Sequence, residues 1–267
     1  IYQWYLNGPP VSGATNSNWT FIPASAGSYT VFVKVTDAIG IQLMSNTATV
    51  EVFDWWPMFH HDQSHAGTST STGPTTNRIQ WTYTTGGYVA SSPAVVGGFL
   101  YVGSYDHNIY CLNAVTGAIV WSYTTGGNVS SSPAVAGGLV YVGSWDHKVY
   151  CLNAVTGAFV WSYTTGNSVP SSPAVVGGLV YVGSVDGKVY CLNSATGALV
   201  WSYTTSVEIW SSPAVIGGLV YVGSVDGKVY CLNSATGTLV WSYATGGRVS
   251  SSPTVVNGLV FVGSYDS

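Results

Sequence analysis

The side chains able to do chemistry are sparse in this chain, and most recur at one interval. His60, His61, Asp62 and His65 fall within six residues. Imidazoles and a carboxylate at that spacing could ligate a metal, but they equally suit turn capping in a segment laid against a larger body, and no metal is expected. Glutamate occurs only as Glu51 and Glu208. Asp106, Asp146, Asp186 and Asp226 stand 40 residues apart, each in a turn-like stretch, so hairpin geometry accounts for them. Cys111, Cys151, Cys191 and Cys231 keep the same interval. Equivalent points on stacked sheets lie about 10 Å apart, beyond the roughly 7 Å Cα limit for a disulfide. Four buried free thiols are expected, with no catalytic residue and no cofactor.

The elements that position these residues come from one repeated unit. Copies begin at Ser91, Ser131, Ser171 and Ser211, with part of a fifth from Ser251; 171–210 and 211–250 agree at 32 of 40 positions. Each copy holds four short runs rich in β-branched and aromatic residues. Gly-Gly, an Asp-containing hairpin and an Asn-x-x-Thr-Gly turn separate them. The runs are too short for helices and apolar nearly throughout, which implies burial on both faces. A period near 40 with four strands per unit predicts a β-propeller blade. The fold class is therefore all-β: a propeller of four-stranded blades over 78–267, with partial blades at both ends.

Cys151-Leu152-Asn153-Ala154-Val155-Thr156-Gly157-Ala158-Phe159-Val160-Trp161 resembles the quinoprotein-type (PQQ-like) propeller repeat, whose motif is Ala-x-Asp-x-x-Thr-Gly-x-x-x-Trp. The tryptophan recurs as Trp81, Trp121, Trp161, Trp201 and Trp241. The resemblance implies that each indole docks its blade on the next blade's Thr-Gly turn, in a ring of seven or eight blades. Cys replaces the family's Ala here, and Asn113, Asn153, Asn193 and Asn233 replace its Asp. The family includes quinone-dependent dehydrogenases, whose site needs calcium, an acidic base and several unlike residues. Near-identical blades and two glutamates are poor material for such a site, so catalysis is not expected.

Residues 1–53 alternate clearly at Tyr29, Val31, Val33 and Val35. They resemble a partial Ig-like or polycystic-kidney-disease-type β-sandwich of prokaryotic surface proteins, with Trp4 as its core indole. Residues 54–77 read as a lead-in and linker; Trp56-Pro57 with Asp62 and Gly67 resembles the segment preceding the first blade in the same propeller family. Both chain ends read as cut from a longer polypeptide. Only 6% of residues are charged, and the net charge is −4. That excludes attraction to nucleic acid or anionic membrane, and no apolar run approaches the ~18 residues of a membrane helix. Asn18 and Asn128 open sequons, fitting an extracellular or cell-surface location.

Differences between copies concentrate in the connections before Ser-Ser-Pro and in the second-to-third hairpins. In an antiparallel blade these share one end, and loops on a rigid scaffold commonly carry recognition. Tyr88, Tyr105, His107, Trp145, His147, Glu208, Trp210 and Arg248 form the candidate binding set there. The expected partner is a glycan or a surface protein. Self-association as a structural subunit of a surface layer or filament is the alternative, and a PQQ-dependent dehydrogenase a further one.

Overall fold

Each repeat folds as four antiparallel strands paired in chain order. The computed structural model describes residues 1–21, 27–52, 56–65, 67, 69 and 74–266; Asp54 and Trp55 of the expected lead-in, and Phe53 before it, lie outside these. In the second blade the strands are Ala134–Ala136, Leu139–Gly143, Lys148–Asn153 and Phe159–Thr164. Blades at 94–124, 174–204 and 214–244 repeat this order, and Thr254–Val256 pairs with Leu259–Phe261 as the start of a fifth. The first strands of successive blades touch one another. The molecule is thus all-β, a β-propeller with the short strands innermost, and no helix occurs among the described residues.

Burial explains the repeated wording. Tyr141, Cys151 and Trp161 are directly opposed on three neighbouring strands. Cys151 is fully buried between the two rings, so a small apolar side chain is what fits. All four thiols are free and buried, and desolvation pushes those of Cys111, Cys151 and Cys191 up to about 12. In the outer strand Phe159–Thr164, only Trp161 is buried. Its Nε1 donates to Ser194 O at 2.9 Å, and Tyr141 Oη donates to the same carbonyl at 3.2 Å. Trp81, Trp121 and Trp201 make the same bond to Ala114, Ala154 and Ser234. The turn glycine beneath each ring leaves no alternative: a Cβ on Gly157, at φ +69°, would stand 2.6 Å from the Trp121 indole. Trp241 is 39% exposed.

Two further systems join the blades. Near the axis, the amides of Ser92, Ser132, Ser172 and Ser212 each donate to the serine hydroxyl 40 residues on, at 2.8–3.0 Å. At the rim, the hairpin aspartates Asp106, Asp146, Asp186 and Asp266 each hold the connection entering their own blade through a glycine amide. Asp146 Oδ2 accepts from Gly126 N and from Tyr150 Oη, while Oδ1 accepts from Lys148 N within the hairpin. Burial pushes Asp106 up, but hydrogen bonds from Tyr110, Asn108, Gly86 and Ser104 outweigh it and hold the carboxyl below its usual range.

The segment expected as lead-in and linker divides. Residues 55–68 belong with the blades in one compact unit, and 69–77 with residues 1–54 in the other. The reason is main-chain pairing. Trp56 exchanges two hydrogen bonds with Val95, Pro57 O accepts from Val135 N, Gln63 O from Val215 N and Ser64 O from Val255 N. The segment is a strap across the free inner edges of four blades, and it satisfies amides that would otherwise be left unpaired.

In the other unit, the expected partial sandwich is a single four-stranded sheet among the described residues. Strand β1 (Tyr2–Leu6) pairs with one side of the long β2 (Gly27–Thr36); β3 (Gln42–Met44) and β4 (Ala48–Val52) pair with the other. Trp4 sits opposite Val33, and a run of ring contacts links Trp4, Trp19, Phe21 and Tyr29. Tyr5 stacks on Phe32 at 4.6 Å.

Candidate functional site

The variable positions are variable because their alternate neighbours are fixed. In four of the five connections a β-branched residue plugs into the blade: Val129, Val169, Ile209 and Val249 are fully buried, whereas Val89, in the first, is 50% exposed. A Cβ on Gly143 would lie 2.3 Å from Val169 O, so that position admits only glycine. The residues on either side of each plug point the other way. Main-chain bonds then lace each connection to a hairpin: Tyr105 N to Tyr88 O, Trp145 N to Asn128 O, Val225 N to Glu208 O and Tyr265 N to Arg248 O, all at 2.8–3.0 Å. Three positions per repeat therefore face outward together.

They enclose an open cleft of about 550 Å³, lined on its aromatic side by Tyr105, Trp145, Trp210 and Tyr265 and on its charged side by Glu208 and Arg248. Both indoles are held by their own N–H groups. Trp145 Nε1 donates to Ser130 Oγ and Trp210 Nε1 to Glu208 Oε2, each at 2.8 Å. The rings are thereby fixed in orientation, and they meet each other edge-to-face at 6.3 Å with Trp210 39% exposed.

Of the eight residues expected from sequence, Tyr105, Trp145, Glu208, Trp210 and Arg248 line this cleft. Tyr88 stands beside it, its ring 6.4 Å from that of Tyr105. His107 and His147 are outside the lining. They occupy the left-handed hairpin position, φ +71° and +70°, that Gly187 and Gly227 fill in the next two blades; their carbonyls accept from Thr125 and Thr165. Ser130, Pro170, Val225, Ser250 and Tyr265 complete the lining. The available signal was the register of Trp210, whose equivalents 40 residues apart are Ser130, Pro170 and Ser250. Asn18 is exposed, while Asn128 is half-buried beside Trp145.

The histidine-rich strap folds on itself. His60 stacks on Phe59, and His65 meets both rings edge-on. His65 Nδ1 donates to Pro253 O at 3.1 Å. Burial, reinforced by His60, lowers the His65 pKa to about 4. Asp62 Oδ1 accepts from Ser64 N and Oγ. No set of three His, Cys, Asp or Glu among the described residues is placed to hold a metal ion.

The family model described as "Beta-alanine-activating enzyme, beta-propeller" matches residues 63–267. The chain belongs to this β-propeller family. Its match begins inside the strap and takes in every blade. Among solved structures, a europium-containing methanol dehydrogenase superposes with TM-score 0.64 at 19% identity, covering 74% of this chain and 50% of that one. BamB from Moraxella catarrhalis gives 0.53 at 21% identity, covering 71% and 75%. The quinohemoprotein alcohol dehydrogenase from Comamonas testosteroni gives 0.64 at 19%, covering 78% and 45%. This chain thus spans half or less of either dehydrogenase, and these likenesses show the propeller fold of quinoprotein and BamB type. No curated protein matches the sequence.

The quinone cofactor implied by the family resemblance can be tested against the residues present. Calcium takes six to eight oxygen ligands. The four hairpin aspartates of the complete blades each give an oxygen to a tyrosine hydroxyl of their own blade. Glu208 is tied to Trp210, and Arg248 is the one cation of the cleft lining. This donor set does not fit a calcium-bound quinone.

Proposed function

We propose that this propeller is a non-catalytic recognition module of an extracellular or cell-surface protein, binding a glycan or a protein in the variable-face cleft. One observation carries the reading. Positions that differ most between otherwise near-identical repeats converge on one cleft, with two indoles anchored through their N–H groups and one charge of each sign. Aromatic faces beside fixed polar groups are a recurrent recognition chemistry. The four-stranded sheet of residues 1–52 is read as part of an Ig-like module serving as a spacer, on its strand pairing and its ring-filled face.

The test is direct binding to an array of glycans and surface proteins. Trp145→Ala and Trp210→Ala are expected each to weaken binding at least about tenfold with the melting temperature unchanged within a few degrees. Binding that survives both substitutions removes the reading. Ordered self-assembly without ligand, seen by electron microscopy, would favour the structural-subunit alternative instead.

A further inference from the structure

Four aromatic rings on the variable face form a continuous line. Tyr88 meets Tyr105 at 6.4 Å, Tyr105 meets Trp145 at 6.0 Å, and Trp145 meets Trp210 at 6.3 Å between centroids. They come from four separate segments: the connection into the first blade, the first and second hairpins, and the connection into the fourth blade. The line starts on open surface, where Tyr88 is 82% exposed, and runs into the cleft at Glu208 and Arg248. Its steps are nearly equal and comparable to a pyranose repeat, and successive rings stand at 83°, 53° and 77° to one another, so the track turns from ring to ring rather than lying flat. From these observations we infer that the line is a track for a linear oligosaccharide, each ring stacking one sugar, with the chain end placed among Glu208, Arg248, Ser130 and Ser250.

The chemistry separates this ligand from others. Sugars present apolar C–H faces to aromatic rings and hydroxyls to a carboxylate, a guanidinium and serine hydroxyls, all of which the cleft holds. A nucleic acid strand also stacks on aromatic rings, but it needs a basic groove, and here Arg248 is accompanied by Glu208 on a chain of net charge −4. A strand-like peptide needs unpaired main-chain groups. Along the track the hairpin amides of Tyr105, Trp145 and Val225 are instead bonded to the connection carbonyls of Tyr88, Asn128 and Glu208.

The inference rests on the recognition reading above and is tested apart from it. Titration calorimetry with neutral linear oligosaccharides of one to six units, in α-1,4- and β-1,4-linked series, measures affinity against length. In at least one series affinity should rise with each added sugar up to four and then level off, by roughly 2-fold to 10-fold per sugar. Tyr88→Ala should bring the four-unit ligand to the affinity of the three-unit ligand and leave the two-unit ligand unchanged; Tyr88→Phe should restore the gain. Trp145→Ala should weaken every length, and Trp145→Phe should recover part of the loss. Affinity already complete at one or two sugars, or unaltered by Tyr88→Ala, overturns the track while recognition in the cleft stands. Failure of every oligosaccharide to bind, with a surface protein still bound in a Trp210-dependent way, also overturns the track and leaves the broader reading intact.

Discussion

At the scale of single residues, the indole of each outer strand does more than fill space. Trp161 is the one buried side chain of its strand, and it both covers Gly197 and bonds to Ser194 O in the next blade. Trp161→Ala should destabilise the protein by about 3–5 kcal/mol. Trp241→Ala, at the same place in the sequence but at a ring 39% exposed, should cost roughly 1 kcal/mol or less; chemical denaturation of the two variants checks the contrast, and equal losses would remove the docking account. This part of the molecule was legible in advance, because a tryptophan at a strict 40-residue interval must meet the same surroundings each time. The cleft was only half legible. Trp145 and Trp210 announce themselves by size, whereas Ser130, Pro170 and Ser250 are small, and only the plugged Val or Ile beside each shows that they face outward.

At the scale of elements, the strap over residues 56–65 was the hardest feature to foresee. Its side chains suggested metal binding or turn capping, but its role is carried by main-chain carbonyls, which leave no residue-type signature. One of its side chains, His65, is buried against the fifth blade, and that burial favours the neutral imidazole. That ring titrates near 6.5 when exposed and at about 4 in the folded chain. A lowered histidine pKa gives stability that is complete above about pH 6.5 and is lost as pH falls towards 4. The loss at full protonation is on the order of 3 kcal/mol. Melting temperature should therefore drop across that window, and His65→Gln, which keeps an N–H donor and cannot ionise in this range, should flatten the drop. An unchanged acid profile in that variant would remove the His65 account; the Asp106 carboxylate, whose pKa is lowered, contributes stability that is lost only below that window.

At the scale of the whole molecule, a row of near-identical units contacting mainly their neighbours behaves as a chain of coupled segments. Protection against amide exchange should be highest in the second and third blades, flanked on both sides, and lowest in the two-stranded fifth. Hydrogen exchange read by mass spectrometry measures this, and uniform protection would mean that the strap binds all blades into one cooperative block. The serine bond repeated every 40 residues has a longer consequence. Any two copies of the unit offer equivalent cut points, so recombination between them can remove or add a whole blade and rejoin amide to hydroxyl at the same place. The indole and turn on either side of the new joint already match. What such an exchange changes is the assortment of outward residues, so a gene of this kind can reshuffle its binding surface in single events without passing through an unfolded ancestor.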